Sequence, residues 1–164
     1  MNKKILIYSD KIKSGKTTNL FKWISKQNSV SGILQPVVED KRYIYSIVDK
    51  TLIQLEISEK QSQAFPENEL IKIGKYHFLK NGFDKAKEIL KRDFQKKYSW
   101  IVIDEIGPLE LSGSGLEPAI SEIFNKIESF DGKLIFVIRD KLLNDVINKY
   151  NLDEKYELWC PSFD

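Results

Sequence analysis

The sequence predicts an α/β domain of three layers, with helices on both faces of a mostly parallel central sheet and an antiparallel β-hairpin insertion. Three observations point to it. The runs Ile5-Leu6-Ile7-Tyr8, Trp100-Ile101-Val102-Ile103 and Leu134-Ile135-Phe136-Val137-Ile138 are continuously apolar, the pattern of strands covered on both faces. Segments with apolar residues at helical spacing lie between them. Residues 33–55 hold β-rich pieces whose spacers are too short for a crossover helix, so neighbouring strands there should be antiparallel.

Taken in order, the strand at 4–8 feeds a loop and then a helix from Gly15, with Leu20, Phe21 and Ile24 at core-facing spacing and Asn28-Ser29 at its end. Residues 33–38, 43–48 and 51–55 are the hairpin strands, separated by Glu39-Asp40-Lys41-Arg42 and by Asp49-Lys50. The polar stretch 58–69 reads as the least structured part of the chain and the expected mobile loop. Residues 73–78 form a short strand, and Asn81-Gly82 turns the chain into a helix with Phe83, Ala86, Ile89, Leu90 and Phe94 on one face. After the strand at 100–103, a helix carries Leu116, Ala119, Ile120, Ile123, Phe124 and Ile127, with Pro118 tolerated in its first turn. The strand at 134–138, a short helix through Leu142, Leu143, Val146, Ile147 and Tyr150, and a strand at 156–159 complete the sheet.

A chain of 164 residues, 41% hydrophobic and 12% aromatic, has the apolar mass for one layered core, and no repeat or linker divides it, so residues 1–164 read as a single domain. The net charge of +2 favours neither a nucleic-acid nor a membrane surface. The basic residues of 85–97 fall within a helical pattern and form a solvated face. Cys160 has no partner for an internal disulfide, no apolar run is long enough to span a membrane, and Met-Asn-Lys-Lys leads into a strand rather than a signal sequence; a cytoplasmic location is expected. Oligomeric state does not follow from these features.

The most informative motif is Ser14-Gly15-Lys16-Thr17-Thr18 directly after the first strand. A strand turning through Gly-Lys-Thr into a helix leaves backbone N–H groups directed where a polyphosphate can lie. The loop Asp10, Lys11, Ile12, Lys13, Ser14, Gly15, Lys16, Thr17 and Thr18 is therefore the expected nucleotide-binding segment of a P-loop NTPase fold. Lys16 would reach the terminal phosphates and Thr17 would ligate Mg²⁺. The strand at 100–103 ends in Asp104-Glu105, where Asp104 would hold the same ion directly or through water and Glu105 would orient or deprotonate an attacking water. Asp10 stands where the full pattern has a glycine, which leaves the loop fewer residues free to take positive φ. A carboxylate about 5 Å from a phosphate charge would repel it by roughly 3 kcal/mol at an effective dielectric of about 20. Either Lys11 and Lys13 offset this, or Asp10 points away.

The stretch Ile103-Asp104-Glu105-Ile106-Gly107-Pro108-Leu109-Glu110-Leu111 resembles the signature of the cancer-related nucleoside-triphosphatase family, small P-loop proteins that remove the γ-phosphate from several nucleoside triphosphates. Gly32-Ile33-Leu34-Gln35 followed by Arg42 is similar to that family's hairpin insertion, and Gly74-Lys75-Tyr76 with Gly82-Phe83 to its approach to the magnesium strand. The resemblance implies Lys16 and Thr17 on phosphate and Mg²⁺, Asp104 on the metal and Glu105 on the water. It implies Gly15 as the point of close backbone approach, and nucleoside triphosphates such as ATP and GTP as substrates. Glu110 either organises the loop after the strand or is a surface acid. Arg139 either lies near the γ-phosphate, where a guanidinium would stabilise developing charge, or sits in an exposed ion pair, and Arg42 carries the same two readings.

His77 is the only histidine, so a metal site built on several histidines lacks the parts. Trp23, Trp100 and Trp159 read as core residues. Tyr43, Tyr45 and Tyr76 are candidates to lie near a nucleobase. The leading reading is Mg²⁺-dependent triphosphate hydrolysis with a broad base preference. Its alternatives are a nucleotide-binding switch of low turnover and a small-molecule kinase, the latter disfavoured because Arg42, Arg92 and Arg139 are dispersed along the chain.

Overall fold

The computed structural model describes residues 2–11 and 14–163; Ile12 and Lys13 of the expected nucleotide loop lie outside the described residues. In chain order, β1 (Ile5–Asp10) leads to α1 (Lys16–Ile24), β2 (Val30–Leu34), β3 (Val37–Val38), β4 (Lys41–Ser46), β5 (Thr51–Gln54), β6 (Glu56–Ile57) and α2 (Glu59–Ser62). Then come β7 (Leu70–Ile73), β8 (Tyr76–Leu79), α3 (Lys80–Phe94), β9 (Trp100–Ile106), α4 (Pro108–Leu111), α5 (Ala119–Asn125), β10 (Lys133–Arg139), α6 (Leu143–Tyr150) and β11 (Tyr156–Leu158). The main sheet has the order β11-β1-β10-β9-β2-β4-β3, with β5 also paired to β4. From β11 to β2 its pairs are parallel; β4 runs antiparallel to β2, β3 and β5. A second, antiparallel sheet has the order β6-β8-β7.

Alternation along the strands builds the layers. Ile5 and Ile7, Ile101 and Ile103, and Leu134, Phe136 and Ile138 turn to one face, where α3, α5 and α6 cover them with Phe83, Leu90, Ile120, Ile123, Val146 and Ile147. Leu6 and Tyr8, Val102, Ile135 and Val137 turn to the other, where Leu20 and Trp23 of α1 close the second core. Continuous apolar runs are what such double burial requires. Trp23 is buried and packs edge-on against Trp100 and Trp159, at centroid distances of 5.2 and 5.1 Å. No helix among the described residues is long and apolar enough to cross a membrane.

Several elements differ from the expectation. The stretch 58–69 is not an open loop. Ser58 and Gln61 form a reciprocal capping box on α2, with Gln61 N–H donating to Ser58 Oγ at 3.1 Å and Ser58 N–H to Gln61 Oε1 at 2.9 Å, and a 3₁₀ turn occupies Glu67–Glu69. The single strand expected at 73–78 is the hairpin β7–β8, reversed at Gly74 and Lys75. Residues 33–38 are broken after Leu34, where β2 leaves the sheet and β3 begins. Asn81 and Gly82 are not a turn but lie inside the first turn of α3, with Gly82 so close to the Gln54 carbonyl that an added Cβ would stand 2.8 Å from it. Leu116 precedes α5 instead of joining it, Pro118 is its N-terminal flanking residue, and Ile127 follows it in a 3₁₀ turn. Lys85 and Lys91 of α3 face solvent, whereas Lys87 pairs with Asp84 and reaches the Glu117 carbonyl, and Arg92 reaches Asp49 and the fully buried Asp93.

Candidate active site

The strand order places three strand ends side by side. β10 lies between β1, which carries the loop, and β9, which carries the acids. In register, Asp10 of β1 stands opposite Arg139 of β10, and Val137 of β10 stands opposite Asp104 of β9. Parallel strands put all of these C-terminal ends on one edge of the sheet, the edge where open α/β sheets take ligands.

Asp10 is the last residue of β1 and its carboxylate accepts the N–H of Lys11 at 2.7 Å, so the side chain is engaged at its own turn. Strand backbone at this position removes the need for glycine there. The left-handed residue of the loop is Gly15, with φ at 82°, immediately before α1. Among the described residues no side chain caps α1, and its first turn carries no acid, so its N–H groups face the loop without a competing anion. Lys16 is buried and its ammonium donates to the carbonyls of Asp10 (3.2 Å) and Lys11 (2.6 Å) and to Ser14 Oγ (3.2 Å). Ser14 and Thr18 are exposed on the loop and on α1.

Thr17, on the first turn of α1, donates its hydroxyl to Asp104 Oδ2 at 2.8 Å, and the backbone N–H of Gln35 donates to the same oxygen at 3.1 Å. Asp104 is 2% exposed. Burial pushes its carboxyl up to about 6; the neighbouring Glu105 charge adds to the rise, while Gln35, Thr17 and Arg42 oppose it. A hydroxyl and a carboxylate side by side are hard oxygen donors that fit a magnesium ion sharing its remaining positions with phosphate and water. No group of three or more His, Cys, Asp or Glu suited to a metal occurs among the described residues, so an ion here would depend on such outside ligands.

Glu105 stands beside Asp104 because β9 bulges. Asp104 pairs with Val137 and Ile106 with Ile138, leaving Glu105 without a partner in the ladder. Ile103 and Ile106 can then both enter the same core, which an unbroken strand would forbid at that spacing. Glu105 Oε1 receives two guanidinium groups, Arg42 Nη1 at 3.2 Å and Arg139 Nη2 at 2.9 Å. Two of the three arginines that are dispersed in sequence therefore converge, whereas Arg92 lies elsewhere with Asp49 and Asp93.

Glu110 is buried at 3% exposure and is not a surface acid. Its carboxylate accepts the N–H groups of Gly107 (2.9 Å) and Leu116 (3.0 Å) and so ties together both ends of the segment after β9. Burial raises this carboxyl against those two donors. The chain wraps it so closely that a Cβ on Gly115 would lie 2.3 Å from Oε1.

Gln35 escapes sequence reasoning, because it acts through its backbone N–H, which residue identity does not encode. Glu56, which accepts Arg42 N–H at 3.1 Å and pairs with Lys41 at 3.6 Å, escapes it for a different reason: it sits on a strand of two residues. Of the three tyrosines considered for a base, Tyr45 packs on Phe21 (centroids 4.9 Å apart), Tyr76 lies in the second sheet next to Phe78, and Tyr43 is half-buried in β4.

A family model described as an NTPase matches residues 5–159. The nucleoside-triphosphatase THEP1 of Sulfurisphaera tokodaii is 32% identical over 154 residues, covering 82% of this chain and 87% of the relative. The crystal structure of THEP1 from the hyperthermophile Aquifex aeolicus superposes with a TM-score of 0.72 at 17% identity, over 96% of this chain and 90% of that one; at that identity it speaks to the fold.

Proposed function

The chain belongs to this NTPase family, and on that premise we propose that it cleaves the γ-phosphate from nucleoside triphosphates, ATP and GTP among them, to give a nucleoside diphosphate and inorganic phosphate. One observation carries the reading: the 2.8 Å bond from Thr17 to Asp104, which joins the loop and the strand end with Glu105 as the next residue. Thr17 and Asp104 would hold a magnesium ion, which supplies charge neutralisation on the phosphate oxygens. Lys16 and the N–H groups at the start of α1 bind the phosphate tail and hold it in line. Glu105 accepts a hydrogen bond from the attacking water and takes up its proton as the new P–O bond forms and the bridging P–O bond breaks.

We propose a broad base preference, since Tyr45 is engaged by Phe21 and Tyr76 by Phe78, leaving two of the three tyrosines considered for a base already packed on other rings. The lone cysteine of the chain supports a reducing, cytoplasmic setting.

A second reading, a nucleotide switch of low turnover, is favoured by Lys16, whose ammonium is fully engaged by its own loop. Phosphate release measured with a panel of triphosphates, with and without magnesium, separates the two. Magnesium-dependent release from several triphosphates supports the hydrolase. Tight binding without release supports the switch, and transfer of label to an alcohol instead of water would make the protein a kinase.

A further inference from the structure

We propose that Arg42 and Arg139 are the groups that distinguish a triphosphate from a diphosphate, and that they do so by leaving Glu105 for the γ-phosphate. The inference rests on the hydrolase reading and extends it to two residues that it leaves idle. Both guanidiniums converge on one oxygen, Glu105 Oε1, from opposite sides of the site: Arg139 from the end of β10, Arg42 from the start of β4. The side chains of Arg42 and Arg139 are 26% and 27% exposed and that of Glu105 is 15% exposed, so the cluster borders solvent and an entering anion can reach it.

The topology fixes where that anion arrives. β10 separates the loop strand from the acid strand, and Arg139 stands opposite Asp10 at the root of the loop. A triphosphate laid from the start of α1 toward Asp104 therefore ends with its last phosphate beside Arg139. A diphosphate stops short of it. Arg42 approaches from a backbone fixed at both ends, its N–H held by Glu56 and its carbonyl accepting Leu55 N–H at 3.3 Å, so that only the side chain need swing.

Two guanidiniums also occupy one of the two oxygens that Glu105 could offer the water, because an oxygen saturated by charged donors is a poor acceptor. A γ-phosphate has more negative charge and three oxygens to offer them. Its arrival moves the arginines to the developing phosphate charge and returns Oε1 to the water.

The test is calorimetric binding of β,γ-imido-ATP and of ADP, both with magnesium, to wild type, E105Q, R42A/R139A and the triple variant. The double arginine variant should bind the imido-triphosphate about tenfold more weakly or worse, while ADP affinity changes less than about twofold. Equal losses for both nucleotides, or none, would overturn the role in reading the γ-phosphate. E105Q frees the arginines in advance and should tighten imido-triphosphate binding, and this gain should shrink when the arginines are absent. A gain that persists or grows without them would mean that they stay on Glu105 in the complex, and the exchange would be wrong. R42K/R139K, which keeps the charges, should fall between wild type and the alanine pair and serves if the alanine pair melts early. Wild-type phosphate release, measured alongside, distinguishes the two levels: if it is absent, the hydrolase reading fails; if it is present while the arginine variants discriminate normally, only this inference fails.

Discussion

Asp104 has a carboxyl raised to about 6 from an ordinary 3.8, chiefly by burial, and so carries a stability cost alongside its place in the site. A group whose native pKa lies above its unfolded value opposes folding where it must ionise. The penalty is absent below about pH 4 and grows as pH rises toward and through 6. The separation corresponds to at most about 3 kcal/mol, less whatever water and side-chain relaxation recover. Asp104→Asn keeps an oxygen to accept from Thr17 and Gln35 but never ionises. The metal-free variant should therefore melt several °C above wild type at pH 7.5, with the difference closing toward pH 4.5, while losing triphosphate turnover. Thermal scans across that pH range check it, and a variant that melts at or below wild type at pH 7.5 would show that burial does not penalise this carboxylate.

The segment after β9 shows how one side chain can organise an element. Glu110 satisfies Gly107 N–H at the start of α4 and Leu116 N–H beyond it. Glu110→Ala would leave both donors buried and unpaired, at about 1–3 kcal/mol each. Glu110→Gln retains one carbonyl acceptor and should recover roughly half of the loss. Chemical denaturation of the two variants tests this; equal stability of Glu110→Ala and wild type would remove Glu110 from the account of the loop. The same segment marks where sequence reading runs out. Long apolar runs such as 134–138 announced their strands, because burial on both faces leaves no freedom of composition. Gly15-Lys16-Thr17 and Asp104-Glu105 stood out in the sequence because the phosphate and metal chemistry proposed for them would demand particular side chains. Two-residue strands such as β3 and β6 carry no periodicity, and α4 and α2 depend on capping bonds that compete with many alternatives. The bulge at Glu105 was invisible for a similar reason: it appears only when β9 is set against β10.

At the scale of the molecule, the order β1-β10-β9 turns sequence distance into proximity. The loop at 10–18 and the acids at 104–105 meet because a single strand, β10, lies between the strands that carry them, and Arg139 fills the gap at its end. The two cores pack on either side of the strands that carry that edge. Phe136, fully buried in the larger core two residues before Ile138 on β10, is one such packed residue. Phe136→Ala should cost about 3–5 kcal/mol, read as a lowered denaturation midpoint. A smaller loss would mean that the core repacks around the deletion. Whether the loop and the acidic pair act on one triphosphate is measured most directly by magnesium-dependent phosphate release by wild type beside Glu105→Gln, with β,γ-imido-ATP affinity measured on both. Turnover in wild type, a fall of about a hundredfold or more in the variant and binding retained in the variant are the expected results. Equal turnover in the two proteins would contradict the assignment of Glu105 and, with it, the site described.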